Sequence, residues 1–355
     1  MSEENETPSR PKPLSPRAQR WGAFLPPEIT QYYVACYGVQ IALPTNATGE
    51  QRQATAKTLE QSAFFKWLDM ASTSRYSPGA SDHSRYIDGQ GFLNHVYMCY
   101  WTSEARFRDW CNEHSYIDFW ENQQRQHDQT GCWREEMTVP IERQETVYFF
   151  DWIKGIGSCE AVSIKKAKPT GAYGTMRQRI PDPNIDGYGD SLPQPTIRDT
   201  THARIQVHLP EFFAVIRSWQ FWARCGPVQK ADFLARLQPA LDAGMLYIRD
   251  NPADSGCCSV RYMRDCDLSG NEREEASGLA YFINIDAMET WAKRHASHEK
   301  IYTIAKQQLK DPNFVRELRT CHEVWVLPEK GQRFEYINCQ PMTGVLPYFN
   351  ITRKA

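Results

Sequence analysis

Tyr281–His295, YFINIDAMETWAKRH, reads as a strand end running into an amphipathic helix, and Tyr100–His114, YWTSEARFRDWCNEH, repeats the pattern in the first half of the chain. Tyr100, Trp110 and His114 stand where Tyr281, Trp291 and His295 do, and Phe107 meets Met288. Phe107 and Trp110 are three residues apart, the spacing of one helix face. Further on, ETVYFF (145–150) aligns with HEVWVL (322–327), which sets Glu145 against His322.

Outward from these segments the periodicity predicts alternating elements. In the first half, strands are expected at 29–43, 91–101 and 143–152, with helices at 49–71 and 103–114. The second half starts again, with a strand within 203–222, a helix over 230–251, a strand at 277–284 and a helix over 285–309. RELRTCHEVWVLPEKGQRFEYINCQPMTG (316–344) reads as a two-stranded hairpin turning at Lys330-Gly331. Two β-rich halves with a helix after each edge strand predict an α+β body of two ferredoxin-like units. The expected divisions are a polar, disordered tail at 1–20, a first unit at 21–155, a connecting segment at 156–199 and a second unit at 200–355.

The composition is globular, with 41% hydrophobic and 24% charged residues. A net charge of −2 gives no basic field for nucleic acid. The 11 cysteines are an odd number, scattered and without a Cys-x-x-Cys pair, which suits free thiols in a reducing compartment and argues against structural zinc and covalently attached haem. No apolar run reaches the roughly 18 residues of a membrane span, and the N-terminus has no secretory or mitochondrial targeting pattern. A cytoplasmic protein is expected.

Six positions carry candidate chemistry. Strand alternation puts His322 on one face with Val324 and Val326, and Cys321, Glu323 and Trp325 on the other. An imidazole on an apolar face must satisfy both ring nitrogens, at a cost of about 1–3 kcal/mol for each left unpaired, so it serves either a core hydrogen bond or a site. Trp291, His295 and His298 fall at helical spacing, and by spacing alone either histidine could offer a neutral ring to a metal. Ser218 lies on the face of Ile216, opposite Arg217 and Trp219. Arg177 lies in GAYGTMRQRIPDPN, where Gly171 and Gly174 would let the backbone approach a ligand closely. Glu145 is either a second acid near the pocket or a solvated strand residue.

GTMRQR, IRSWQFW, SHEKIY, HEVWVL and FEYINCQPMTGVL, in this order and spacing, resemble the haem-containing aldoxime dehydratases. VACYGVQ and DGQGFLNHVYMCYW extend the similarity into the first half. The resemblance implies a dimeric α+β-barrel fold of two ferredoxin-like halves, a b-type haem active in the ferrous state, and removal of water from an aldoxime to leave a nitrile. It also implies His298 as the proximal iron ligand, which separates it from His295, His322 as the distal general acid, and Ser218 and Arg177 as distal partners. A peroxidase- or dismutase-like haem enzyme and a non-catalytic haem carrier or sensor are the alternatives.

Overall fold

The computed structural model describes residues 20–149, 151–167, 176–185, 191–267, 270–308 and 315–354. Gly171 and Gly174, and residues 1–19 of the polar tail, lie outside the described residues. After β1 (Trp21–Phe24) the first unit runs β2 (Gln31–Ala42), α1 (Gly49–Glu60), α2 (Ala63–Ser72), β3 (Ala80–Ile87), β4 (Phe92–Trp101), α3 (Glu104–Cys111), α4 (His114–Trp120) and β5 (Gly131–Pro140). Next come β6 (Gln144–Val147), β7 (Ser163–Lys166) and β8 (Arg204–His208). The second unit runs β9 (Phe213–Phe221), α5 (Pro227–Asp232), a π-turn (Phe233–Leu237), α6 (Gln238–Asp250), α7 (Pro252–Ser255), β10 (Cys257–Cys266), β11 (Glu272–Phe282), α8 (Ile285–Arg294), α9 (Ala296–Gln308) and β12 (Arg319–Leu327). β13 (Arg333–Ile337) and β14 (Asn350–Lys354) follow.

Twelve strands form one sheet in the order β14-β8-β13-β5-β2-β4-β3-β10-β11-β9-β12-β6, while β1 and β7 pair separately. The segments β5-β2-β4-β3 and β12-β9-β11-β10 repeat one topology, with helices between the first and second strands and between the third and fourth. They meet edge to edge where Arg85 faces Arg264 on β3 and β10. The matched tyrosines Tyr100 and Tyr281 occupy the same place, next to last in β4 and β11.

The sheet curls back on itself. β4 and β12 are five strand positions apart, about 24 Å in a flat sheet at the usual spacing, yet Tyr100 Oη donates to Glu323 Oε2 at 3.0 Å. Four positions separate β10 from β5, and Arg261 reaches Glu135 at 2.6 Å. Buried ions survive there because each finds partners: Glu135 also accepts from Tyr281 and Tyr336. The same closure needs glycine at Gly155, with φ +56, where a Cβ would lie 2.2 Å from Glu323 Oε1.

Several sequence readings change. β12 and β13 do not form a hairpin: a turn does occupy the expected place, with Gly331 at φ +86, but β12 is flanked by β9 and β6, and β13 by β5 and β8. The helix predicted over 49–71 breaks into α1 and α2 at Gln61-Ser62. The helix predicted over 285–309 breaks at His295, which is extended at φ −87 and ψ 132. The segment 203–222 holds two strands, and 143–152 supplies only the four residues of β6. Strands β3, β5 and β10 are additional.

Candidate active site

The helix-covered face of β9, β11 and β12 carries the floor of the site. His322 lies directly opposite Ser218, and Ser218 opposite Gly278. The alternation holds: Val324 and Val326 join the apolar cluster under α8, with Met288 and Trp291, whereas Cys321 and Trp325 join the cluster inside the curl. Gly278 keeps the floor open, since a Cβ there would stand 3.2 Å from Ser218 Oγ.

His322 is 4% exposed, and its Nε2 lies 2.8 Å from Glu145 Oε1. Glu145 reaches it diagonally from β6, where Val147 is the residue directly opposite. Arg179 grips the same carboxylate, with Nη2 donating to Oε1 at 2.8 Å and Nε to Oε2 at 2.5 Å. Burial alone would push the Glu145 carboxyl up, but His322 and Arg179 outweigh it and hold the group at about 2. Glu145 is therefore a buried, ionised partner of His322 and not a solvated strand residue.

Arg177 sits in a single 3-10 turn (Met176–Gln178) against α8. Its backbone N–H donates to Glu289 Oε1 at 2.9 Å, and its guanidinium lies 3.8 Å from both Asp286 and Glu289. Met176 of that turn lines the cavity beneath α9, and Arg177 does not.

The break at His295 shapes the opposite wall. His295 stacks on Tyr247 at a centroid distance of 3.7 Å, and its Nδ1 accepts from the Ser297 N–H at the start of α9. It is a helix cap, absent from the cavity wall. His298, one turn on, lines the cavity and meets Trp291 edge-on at 4.8 Å. Its Nδ1 is sealed from solvent with no hydrogen-bond partner among the described residues. Burial pushes His298 below the ordinary imidazole range. The neutral form is the one that binds metal.

Twenty-two of the described residues line this cavity, which has a volume of about 170 Å³. Its walls are mostly apolar, including Ile216, Leu241, Phe282 and Ile301. Among the described residues no three His, Cys, Asp or Glu side chains gather around a metal position. One neutral histidine on the helix wall, an apolar slot, and a histidine and serine on the floor fit a planar macrocycle that brings its own equatorial ligands.

The repeat makes the site one-sided. Counting three residues back from Tyr100 and Tyr281, Tyr97 matches Gly278. Through the strand pairings Tyr37 then matches Ser218, and Arg134 matches His322. This corrects the alignment of Glu145 with His322: β5, and not β6, is the counterpart of β12.

Comparison with known proteins places the chain in a family. A model of the haem-containing dehydratases matches residues 35–345. The chain is 27% identical to a phenylacetaldoxime dehydratase of Bacillus sp. (strain OxB-1), over 96% of this chain and 95% of that one. It is 30% identical to an aliphatic aldoxime dehydratase of Rhodococcus globerulus, over 76% of each. A crystal structure of an aldoxime dehydratase with butyraldoxime superposes with a TM-score of 0.80 at 27% identity, over 92% of this chain and 88% of that one. With the family model matched over residues 35–345, this chain belongs to the haem-containing dehydratase family.

Proposed function

We propose that this chain is a haem-dependent lyase that converts aldoximes to nitriles, and that the slot beneath α9 is where it does so. The reaction rests on relatives that align with 96% and 76% of the chain and are aldoxime dehydratases. The site rests on one observation: His298 on the helix wall faces a slot whose floor carries His322 beside Ser218. We read the haem as b-type, since no Cys-x-x-Cys-His is present to tether it, and as ferrous in turnover. We read each repeated unit as ferredoxin-like, supported by its strand order.

Bound in the slot, haem supplies an iron position that can take the oxime nitrogen. His298 holds it from the helix side. Ser218 donates to the oxime oxygen and keeps it beside His322. The N–O bond breaks with its electron pair on oxygen, and His322 protonates the departing hydroxide to water. The C–H pair becomes the third C–N bond, and the same ring, now neutral, accepts that proton. One proton is given and one taken, so no outside acid is consumed. Ionised Glu145, clamped by Arg179, holds the His322 ring in place. Of the two arginines, Arg179 is the one that contacts the His322–Glu145 pair, and Arg177, which the resemblance implies as a distal partner, positions the Met176 turn. Anaerobic incubation with dithionite and an aldoxime should yield nitrile, measured by chromatography. Peroxide turnover without nitrile would favour the peroxidase-like alternative, and haem binding with neither would favour a carrier.

A further inference from the structure

The largest cavity near the slot encloses about 720 Å³ between α6, the start of β10, the turn after β3 and residues 340–344. It and the slot share one lining residue, Met245 of α6. A Cβ built on Gly278 would lie 3.9 Å from both Met245 Sδ and Tyr262 Cδ2, and Tyr262 also lines the larger cavity. Two side chains of the outer cavity thus stand over the position adjoining Ser218.

We infer that the outer cavity is the antechamber through which the aldoxime reaches the slot, and that Met245 is the movable partition between the two. This rests on the function proposed above. Three features support it. Methionine is unbranched, with three rotatable bonds, and swings aside more easily than a β-branched or aromatic side chain. Elsewhere α6 is pinned close to α9: a Cβ on Gly244 would lie 3.0 Å from Ile301 Cδ1, which leaves the Met245 side chain as the adjustable element. A π-turn, a form that recurs at functional sites, leads into the same helix. The slot is small, so a bulky substituent has its room outside, where Ile87, Leu246 and Val260 offer apolar surface. The substrates this arrangement takes are aldoximes whose oxime head enters the slot while a large apolar substituent trails across Met245.

Two variants test the partition. Leu246 lines only the outer cavity and is 47% exposed, so Leu246→Trp narrows the antechamber without touching the slot. Stopped-flow spectra of the reduced haem protein give the association rate of a small aldoxime (butyraldoxime) and a bulky one (phenylacetaldoxime), beside steady-state turnover. Leu246→Trp should slow association of the bulky substrate about tenfold and lower its kcat/KM, with the small substrate affected much less. Met245→Ala should raise association of the bulky substrate relative to the small one. Unchanged association in Leu246→Trp, or an equal effect of Met245→Ala on both substrates, overturns the antechamber. Association is read at the haem and not from product, so a wild type that binds aldoxime without forming nitrile would fail the proposed reaction while still testing the passage.

Discussion

Glu145 shows what a single side chain decides here. Its carboxylate is buried, ionised and shared between His322 and Arg179, so Glu145→Gln keeps the shape and removes the charge. The expected loss in kcat is about 10- to 100-fold, the usual weight of an orienting partner. Haem content and far-UV circular dichroism should stay native; loss of either would make the role of Glu145 structural. Behind His322, on the other strand face, Glu323 accepts from Tyr100, Tyr148 and the Ile156 N–H. Burial pushes its carboxyl up to about 7. The folded state therefore binds this proton more tightly than the unfolded chain, and the stability it gives is full below about pH 4.3 and is lost as pH rises through about 7. Glu323→Gln cannot titrate, so its Tm relative to wild type should climb between pH 5 and pH 8. A flat difference would mean that Glu323 does not titrate in that window. The inward face of His322 was legible from alternation alone. Its partner was not, because Glu145 meets it only through the pairing of strands far apart in sequence, and Arg177 and Arg179 differ only in where their side chains go.

At the scale of elements, the slot depends on the break between α8 and α9. His295 caps the second helix, and the break turns His298 inward against Trp291. His298→Ala should purify without haem or with weakly held haem while its far-UV circular dichroism stays native. His295→Ala should keep the haem and its Soret band. A haem-loaded His298→Ala would move the ligand elsewhere. Spacing alone could not choose between the two histidines, because the backbone departs from helix at His295 itself. The strands that periodicity missed have a physical reason as well. β5 carries Arg134, Glu135 and Glu136, a polar run by composition, yet all three are buried because each pairs across the curl or with the covering helices. β3 and β10 are rich in Ser, Asp, Arg and Cys and owe their place to joining the two units. The hairpin was misread because a competent turn says nothing of which neighbours its flanking strands choose.

Across the whole molecule, one topology is used twice and one copy carries the site. In the first unit the space beneath the helices is filled by Trp67, Phe119 and Trp120. Tyr37 and Arg134 stand where Ser218 and His322 stand, and Ile117, 43% exposed, takes the place of His298. A pyridine haemochrome assay should therefore find one haem per chain, and two would contradict this reading of the repeat. The repeat itself was visible in Tyr100–His114 and Tyr281–His295, because helix-facing aromatics recur wherever a helix must cover a sheet. The continuous sheet and its curl were not visible, since edge joining and long-range ion pairs leave no local pattern. The central claim is that His322 moves the proton in a slot whose haem is held from the other side. Turnover of His322→Ala, measured anaerobically with dithionite beside a spectral titration of aldoxime onto the haem, tests it most directly. The variant should be a red protein that still takes up aldoxime but forms nitrile about 10²- to 10⁴-fold more slowly, the weight of a positioned general acid; near wild-type turnover would rule His322 out as the proton donor.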